Sequence, residues 1–328
     1  MAHSTVVAAP QEPDPSRLDL TPLVASWIRS IRARNLSVNT QKIYEHAALS
    51  LARFLREDYQ RATPESRPAP AEIDDLHREH VEAHITALLE RTSPGNAHQA
   101  FRSLKTFFNW LVDEEEIDRS PMRTMKPPIV DEVEVPVVPD DALRRLLKEC
   151  AGRDFESRRD TAIVMLFIDT GVRLSELTVR NVQHLDLDLF VFHVVGKGGR
   201  ERAVPFGRQT AQAVDRYLRA YAKHIGRTLE DEDPLWVGVK TRRAMRKWGV
   251  ADIVERRARS AGLPHIHPHQ FRHTFAHQWK VNGGNEDALM RITGWRSREM
   301  LNRYGASAGA ERARQEHKAL SPGDRLTK

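Results

Sequence analysis

Apolar residues return every three to four positions through the first third of the chain, and this is the spacing of one buried helix face. The runs "PLVASWIRSIRARN", "TQKIYEHAALSLARFLRE", "DLHREHVEAHITALLE" and "NAHQAFRSLKTFFNWLVDEEE" predict four amphipathic helices between Leu20 and Glu116. Ser37 or Asn39 is available to cap the second. Four helices of this length make a small bundle. "TPESRPAPAE" (63–72) interrupts them as a proline-rich loop. The pattern then stops. "RSPMRTMKPPIVDEVEVPVVPDD" carries prolines at 121, 127, 128, 136 and 139, a density no helix survives, so an extended linker is expected.

Periodicity resumes with "DALRRLLKEC", for which Asp140 is the expected cap. "SRRDTAIVMLFIDTG" is apolar nearly all round and predicts a buried helix stopped by Gly171. In "LDLFVFHVVGKGGRERAVPF" two β-rich runs flank Gly-Lys-Gly-Gly, the pattern of a hairpin. All that follows reads as helical and basic. The expected fold class is mainly α with a small β-sheet or hairpin, a helical bundle followed by a second, mostly α domain. There is no internal repeat.

Composition narrows the class. With 328 residues the chain suits two domains, each able to bury its own core. No apolar run nears the roughly 20 residues that cross a bilayer, and "MAHSTVVAAPQEPDPS" lacks the basic and apolar parts of a signal peptide. Cys150 is the single cysteine, which forms no internal disulfide and fits a reducing cytoplasm. Net charge is +6, and Trp236–Ser260 holds eight cations against Asp252 and Glu255. A polyanionic partner and a solvated helix face both account for that segment.

Four places in the second half could carry chemistry. Arg173 in "TGVRLSEL" follows the buried helix, and Glu176 three residues on can orient it or simply pair with it at the surface. Lys197 sits at the hairpin tip; the Gly-x4-Gly-Lys-Ser/Thr nucleotide loop is absent. "LPHIHPHQFRHTFAHQW" packs five histidines into 13 residues, with His269, His273 and His277 at helical spacing and a His269-x-x-Arg272 pair. Stacked histidines suit a metal, yet no cysteine or carboxylate completes a closed ligand set nearby. Finally Trp295 and Tyr304 lie nine residues apart in "ITGWRSREMLNRYG", where ordinary aromatic packing also explains them.

Taken in order, "TGVRLSE", "GKGGRERAVPF", "HQFRHTFA", "TGW" and the final tyrosine resemble the tyrosine recombinase, or phage integrase, family of site-specific DNA recombinases. The resemblance spans nearly the whole chain, since "NLSVNTQKIYEHAALSLARFL" and "SPMRTMKPP" look like that family's SAM-like core-binding domain. Trp295 stands where most members have histidine, and Phe271 replaces the usual leucine. The domains implied are a disordered tail at 1–17, a DNA-binding helical domain at 18–118, a Pro-rich linker at 119–139, a catalytic domain at 140–304 and a tail for subunit exchange at 305–328.

The family's reaction implies roles. Tyr304 would attack the scissile phosphate, leaving a 3′-phosphotyrosine and a 5′-hydroxyl. His269 would take or help take the phenolic proton, Arg173 and Arg272 would clamp the nonbridging oxygens, and Lys197 would protonate the leaving oxygen. Trp295 would donate its indole N–H, with Glu176 and His273 supporting. No metal, ATP or other cofactor is implied. Double-stranded DNA is the expected partner, clamped by two domains on an extended Pro-rich linker, with Lys240, Arg242, Arg243, Arg246 and Lys247 at phosphates; Arg29, Arg32 and Arg34 on the first helix fit further DNA contacts and a solvated face equally. A homo-tetramer on two DNA sites, with or without a partner recombinase, would assemble through Gly305–Leu320. About 17 residues before the first helix leave no room for an extra arm-type DNA-binding domain, so core sites alone are expected, in the cytoplasm at the nucleoid. Two other classes share features: a type IB topoisomerase, which uses the same chemistry, and a DNA-binding regulator with a vestigial site. The acidic run "EDED" (230–233) reads as a solvated cluster.

Overall fold

The computed structural model describes residues 18–65, 67–131, 136–196 and 199–326, with backbone alone at 302–307, 310, 312, 315 and 319. The tail expected over 1–17 lies outside the described residues. The chain divides into two compact units, Met1–Glu132 and Val133–Lys328.

In the first unit the helices are α1 (Thr21–Ala33), α2 (Val38–Arg53), α3 (Tyr59–Ala62), α4 (Arg78–Arg91) and α5 (Pro94–Asp113). Ser37 caps α2, its side chain accepting the Thr40 N–H at 3.1 Å. The second predicted helix does not end at Glu57. It widens into a π-turn over Phe54–Asp58 and runs on as α3. Phe54, Leu55 and Tyr59 along it are all buried. Trp27, Leu51, Leu104, Phe107 and Phe108 complete that core.

The first part of the predicted linker also belongs to this unit. Met122 and Met125 are buried with Ile117 in the same core, and His98 Nδ1 donates to the Pro128 carbonyl at 3.0 Å. Exposure begins beyond that point, with Ile129 88% exposed.

The second unit contains α6 (Asp140–Cys150), α7 (Phe155–Thr170), α8 (Leu174–Thr178), α9 (Arg208–Ile225), α10 (Lys247–Ser260), α11 (Pro268–Val281), α12 (Glu286–Thr293), α13 (Arg298–Leu320) and α14 (Pro322–Leu326). Pro139, not Asp140, occupies the N-cap of α6, and Asp140 is the first helical residue. Helix α7 is the centre of the core: Ala162, Ile163, Val164, Leu166 and Phe167 are buried, and α9 and α11 pack on it. Two charged residues are buried on α7 as well. Asp160 accepts from Arg159, Arg256 and Arg257 at 2.7–3.1 Å, so the carboxylate is matched by guanidiniums. Breaking such a buried pair typically costs about 3–5 kcal/mol.

Three antiparallel strands, β1 (Leu185–Asp186), β2 (Val191–Val195) and β3 (Glu201–Pro205), form the sheet in the order β1-β2-β3. Phe192 faces Val204 and Val194 faces Arg202 across β2 and β3. The expectation that everything after the hairpin is helical fails at 227–246. Leu235, Trp236 and Val237 are buried in succession, which suits extended chain, and Tyr217 and Trp236 tie it down through bonds to the Leu235 and Leu177 carbonyls. The chain then doubles back, Val237 bridging Ala244 and the Met245 N–H donating to the Trp236 carbonyl. Arg242 takes a left-handed φ of 52° in that reversal. No helix among the described residues is long and apolar enough to cross a membrane.

Candidate active site

Two Thr-Gly pairs, Thr170-Gly171 and Thr293-Gly294, end two helices of the second unit. Each glycine is a left-handed C-cap, Gly171 at φ 56° for α7 and Gly294 at φ 71° for α12. A helix ends in carbonyls that have no intrahelical donor and carry its partial negative charge. Arg272 of α11 supplies donors to both. Its NH1 donates to the Gly171 carbonyl at 2.9 Å and its NH2 to the Thr293 carbonyl at 2.6 Å. The guanidinium is 1% exposed and lies over the Trp295 ring, 5.1 Å from the centroid. Such a cation–π contact is worth about 0.5–2 kcal/mol.

One side chain thus reaches the backbone two residues before Arg173 and two residues before Trp295. Space is tight there: a Cβ on Gly171 would come within 2.8 Å of the Phe275 ring. Trp295 is buried with Ala276, Leu289 and Leu301, so it packs a small core as well as stacking on Arg272.

Arg173 stands at the N-cap of α8. Glu176, 3% exposed, accepts the Arg173 backbone N–H at 2.9 Å and its NH1 at 2.8 Å. The same carboxylate accepts two further bonds from Arg202 of β3, at 3.0 and 2.8 Å. Burial pushes the Glu176 carboxyl up, but the hydrogen bonds from Arg202 and from Arg173 outweigh it and hold the group at about 2. Glu176 is therefore a permanent anion between two guanidiniums.

The histidines separate by position. His269 is exposed in the first turn of α11, and its ring meets that of buried His273 edge-on with centroids 4.9 Å apart. His277 is half-buried, and desolvation lowers its pKa. His265 and His267, just before the helix, contact each other through Nε2 and Nδ1 at 3.0 Å. Among the described residues no group of three His, Cys, Asp or Glu is placed to hold a metal ion. Thr274, next in the motif, accepts the Val138 N–H at 2.9 Å and fixes the entry to α6.

The structure pairs Arg173 with Glu176 and stacks Arg272 on Trp295, with Arg272 also bonded to the Gly171 carbonyl two residues before Arg173, while His273 meets His269. Lys197 lies outside the described residues; the strands flanking it pair Val195 with Glu201. Tyr304 falls within α13, which packs on α11, and its side chain also lies outside what is described. The motifs of the sequence do not single out Arg202, although its position carries a signal: it sits two residues before buried Val204 and so on the inward face of β3.

The basic segment splits. Arg256 and Arg257 bond buried Asp160 and so serve the fold, while Arg259 makes an exposed pair with Glu255 at 2.7 Å. Lys240, Arg242, Arg243, Arg246 and Lys247 are exposed on the reversal and at the start of α10, beside Trp248, 73% exposed.

Comparison with known proteins gives a consistent picture. The model of the phage integrase family matches residues 136–311, and that of the phage integrase N-terminal SAM-like domain matches residues 23–118. A tyrosine recombinase XerC of Staphylococcus aureus (strain MSSA476) is 30% identical over 268 residues, covering 80% of this chain and 83% of the relative. In fold, the chain is similar to the Tn1549 transposon integrase in complex with transposon right end DNA, with a TM-score of 0.69, 20% identity and coverage of 93% of this chain and 100% of that one. It is also similar to a lambda integrase tetramer bound to a Holliday junction, at TM-score 0.66 and 14% identity over 90% of this chain and 80% of that one.

Proposed function

The chain belongs to the phage integrase family, and from that premise we propose how its residues break and rejoin DNA. It is a tyrosine site-specific recombinase. The nucleophile is Tyr304. Its oxygen bonds to the scissile phosphorus, the 5′-oxygen of the next nucleotide leaves, and the phosphodiester becomes a 3′-phosphotyrosine. A phenol of pKa near ~10 is only about one part in a thousand ionised at neutral pH, so attack needs a proton acceptor. His269 at the start of α11 takes that part, with His273 behind it. Lys197 gives the leaving oxygen its proton.

Negative charge gathers on the nonbridging oxygens as phosphorus becomes five-coordinate. Arg173 and Arg272 answer it with planar forks of donors, and Trp295 adds an indole N–H. Glu176 acts through Arg173. Two guanidiniums and an ammonium supply the positive charge that a divalent ion brings to other phosphoryl transfers. Because the phosphoester energy is kept in the phosphotyrosine, rejoining is the same step reversed, driven by the 5′-hydroxyl of the exchanged strand without ATP.

The observation that supports this reading best is the span of Arg272, from the Gly171 carbonyl to the Thr293 carbonyl. It ties together the three backbone stretches that carry Arg173, the His269-Arg272 pair and Trp295. The substrate is double-stranded DNA, met by Lys240, Arg242, Arg243, Arg246 and Lys247. The assembly is a tetramer on two sites, with Gly305–Leu320 reaching a neighbouring subunit.

A nicked suicide substrate tests the chemistry. In EDTA, wild type should trap a covalent DNA adduct that Tyr304→Phe lacks. An adduct that survives Tyr304→Phe, or one that needs a divalent ion, would overturn the reading. Relaxation of any supercoiled plasmid without strand exchange would point to a type IB topoisomerase instead.

A further inference from the structure

Arg202 touches three parts of the candidate site at once. From β3, just past the β2–β3 turn, its NH1 and NH2 donate to the two carboxylate oxygens of Glu176 at 3.0 and 2.8 Å. Its Nε donates to the Ile292 carbonyl at 2.7 Å, in the last turn of α12 ahead of Trp295. Gly294 lies against the same guanidinium, where an added Cβ would come within 3.3 Å of NH1. The side chain is 13% exposed, so little of it is left for solvent.

We infer that Arg202 is a positioning residue of the reaction: it fastens β3 to the Glu176 carboxylate and to the end of α12, and so sets where Arg173 and Trp295 stand. This rests on the roles proposed for Arg173 and Trp295. Arg202 acts through Glu176 and α12, since its Nε, NH1 and NH2 all donate to protein oxygens. A bidentate guanidinium–carboxylate pair fixes direction as well as distance, which a single hydrogen bond does not. Glu176 is the shared piece, since the oxygen that accepts Arg173 NH1 at 2.8 Å is the one that Arg202 NH1 reaches.

Glu176 is built to need both cations. Other charged groups around it have different engagements: Arg180 bonds the Glu176 main-chain carbonyl at 3.2 Å, and on α10 Arg256 and Arg257 serve Asp160 while Arg259 serves Glu255. His193 of β2 is exposed. Losing Arg202 leaves a buried carboxyl with one guanidinium, and burial then favours its neutral form. A neutral Glu176 holds Arg173 less firmly, so cleavage should decline further on the acid side than in wild type.

The experiment measures single-turnover cleavage of the nicked substrate from pH 5 to 8, together with DNA affinity and thermal melting, for wild type, Arg202→Met and Arg202→Lys, with Tyr304→Phe as control. Arg202→Met should bind DNA within about threefold of wild type and cleave roughly 10- to 100-fold more slowly, the usual effect of removing a group that orients a reacting side chain. Its rate relative to wild type should fall further toward pH 5 than at pH 8. Arg202→Lys keeps a charge but not the fork, so it should cleave at an intermediate rate with the wild-type pH profile. Wild-type cleavage by Arg202→Met, or a decline that follows melting or DNA affinity with an unchanged pH profile, would overturn the inference. Should Arg202→Met fail to fold, Arg202→Lys decides: slower cleavage at equal affinity supports the inference and a wild-type rate removes it. Absence of an adduct from wild type would instead refute the proposed chemistry, and the role of Arg202 with it.

Discussion

His84 has neither ring nitrogen hydrogen-bonded to a described residue, and it is fully buried against the Phe54 ring, with centroids 5.1 Å apart. Burial, with smaller contributions from Arg91 and Arg53, lowers its pKa from 6.5 to about 4. The folded pKa lies below the unfolded one, so this histidine's contribution to stability is whole above about pH 6.5. It is lost as pH falls toward 4, when the unfolded chain takes up a proton that the folded chain refuses. At ~1.4 kcal/mol per pKa unit the decline is on the order of 3 kcal/mol. Thermal melts should therefore fall between pH 7 and 4.5, and His84→Leu should flatten that slope; equal slopes for the two proteins would contradict it. Single residues differ in how much of this a sequence displays. The Arg173–Glu176 pair is legible because an N-cap and the residue three positions on lie within reach of each other. Arg202 looks like one more hairpin cation until its strand register is known, whereas His84 falls with Val81, Ile85 and Leu88 on the apolar face of its helix.

Helices are the most legible elements, because apolar period and capping residues agree: Ser37 and Gly171 end their helices as their chemistry requires. The π-turn at Phe54–Asp58 is not legible, since the spacing of Leu51, Leu55 and Tyr59 is that of a regular helix. The reversal at 237–245 is hidden by its basic residues, which read as helix while the buried Leu235-Trp236-Val237 run decides the path. That reversal carries a prediction. Replacing Lys240, Arg242 and Arg243 together with alanine should weaken DNA binding and flatten the salt dependence, by about 0.9 in log–log slope for each phosphate the variant no longer neutralises. Arg256→Ala should instead lower the melting temperature at nearly constant slope, because Arg256 serves Asp160. A triple variant with the wild-type slope would show that this surface does not meet phosphates.

At the scale of the molecule, two units with separate cores are expected from length and from the break in periodicity at the prolines. The boundary is less legible. Met122 and Met125 are apolar residues inside a proline-rich stretch, and only the packed core reveals that they belong to the first unit. Beyond Tyr304 the sequence suggests a separate tail, whereas α13 runs unbroken from Arg298 to Leu320, with Ala308 buried. The proposed exchange of this segment between subunits would require part of α13 to leave its own chain. A protein ending at Arg303-Tyr304 should still bind a single site but form no paired complex of two sites in gel-shift or scattering measurements, and normal pairing by the truncated protein would exclude that assembly. The whole mechanism turns on which atom holds the DNA. Peptide mapping of the adduct trapped in EDTA on a substrate labelled beside the nick should find Tyr304 joined to a 3′-phosphate; a different residue, or a 5′-phosphate linkage, would contradict it.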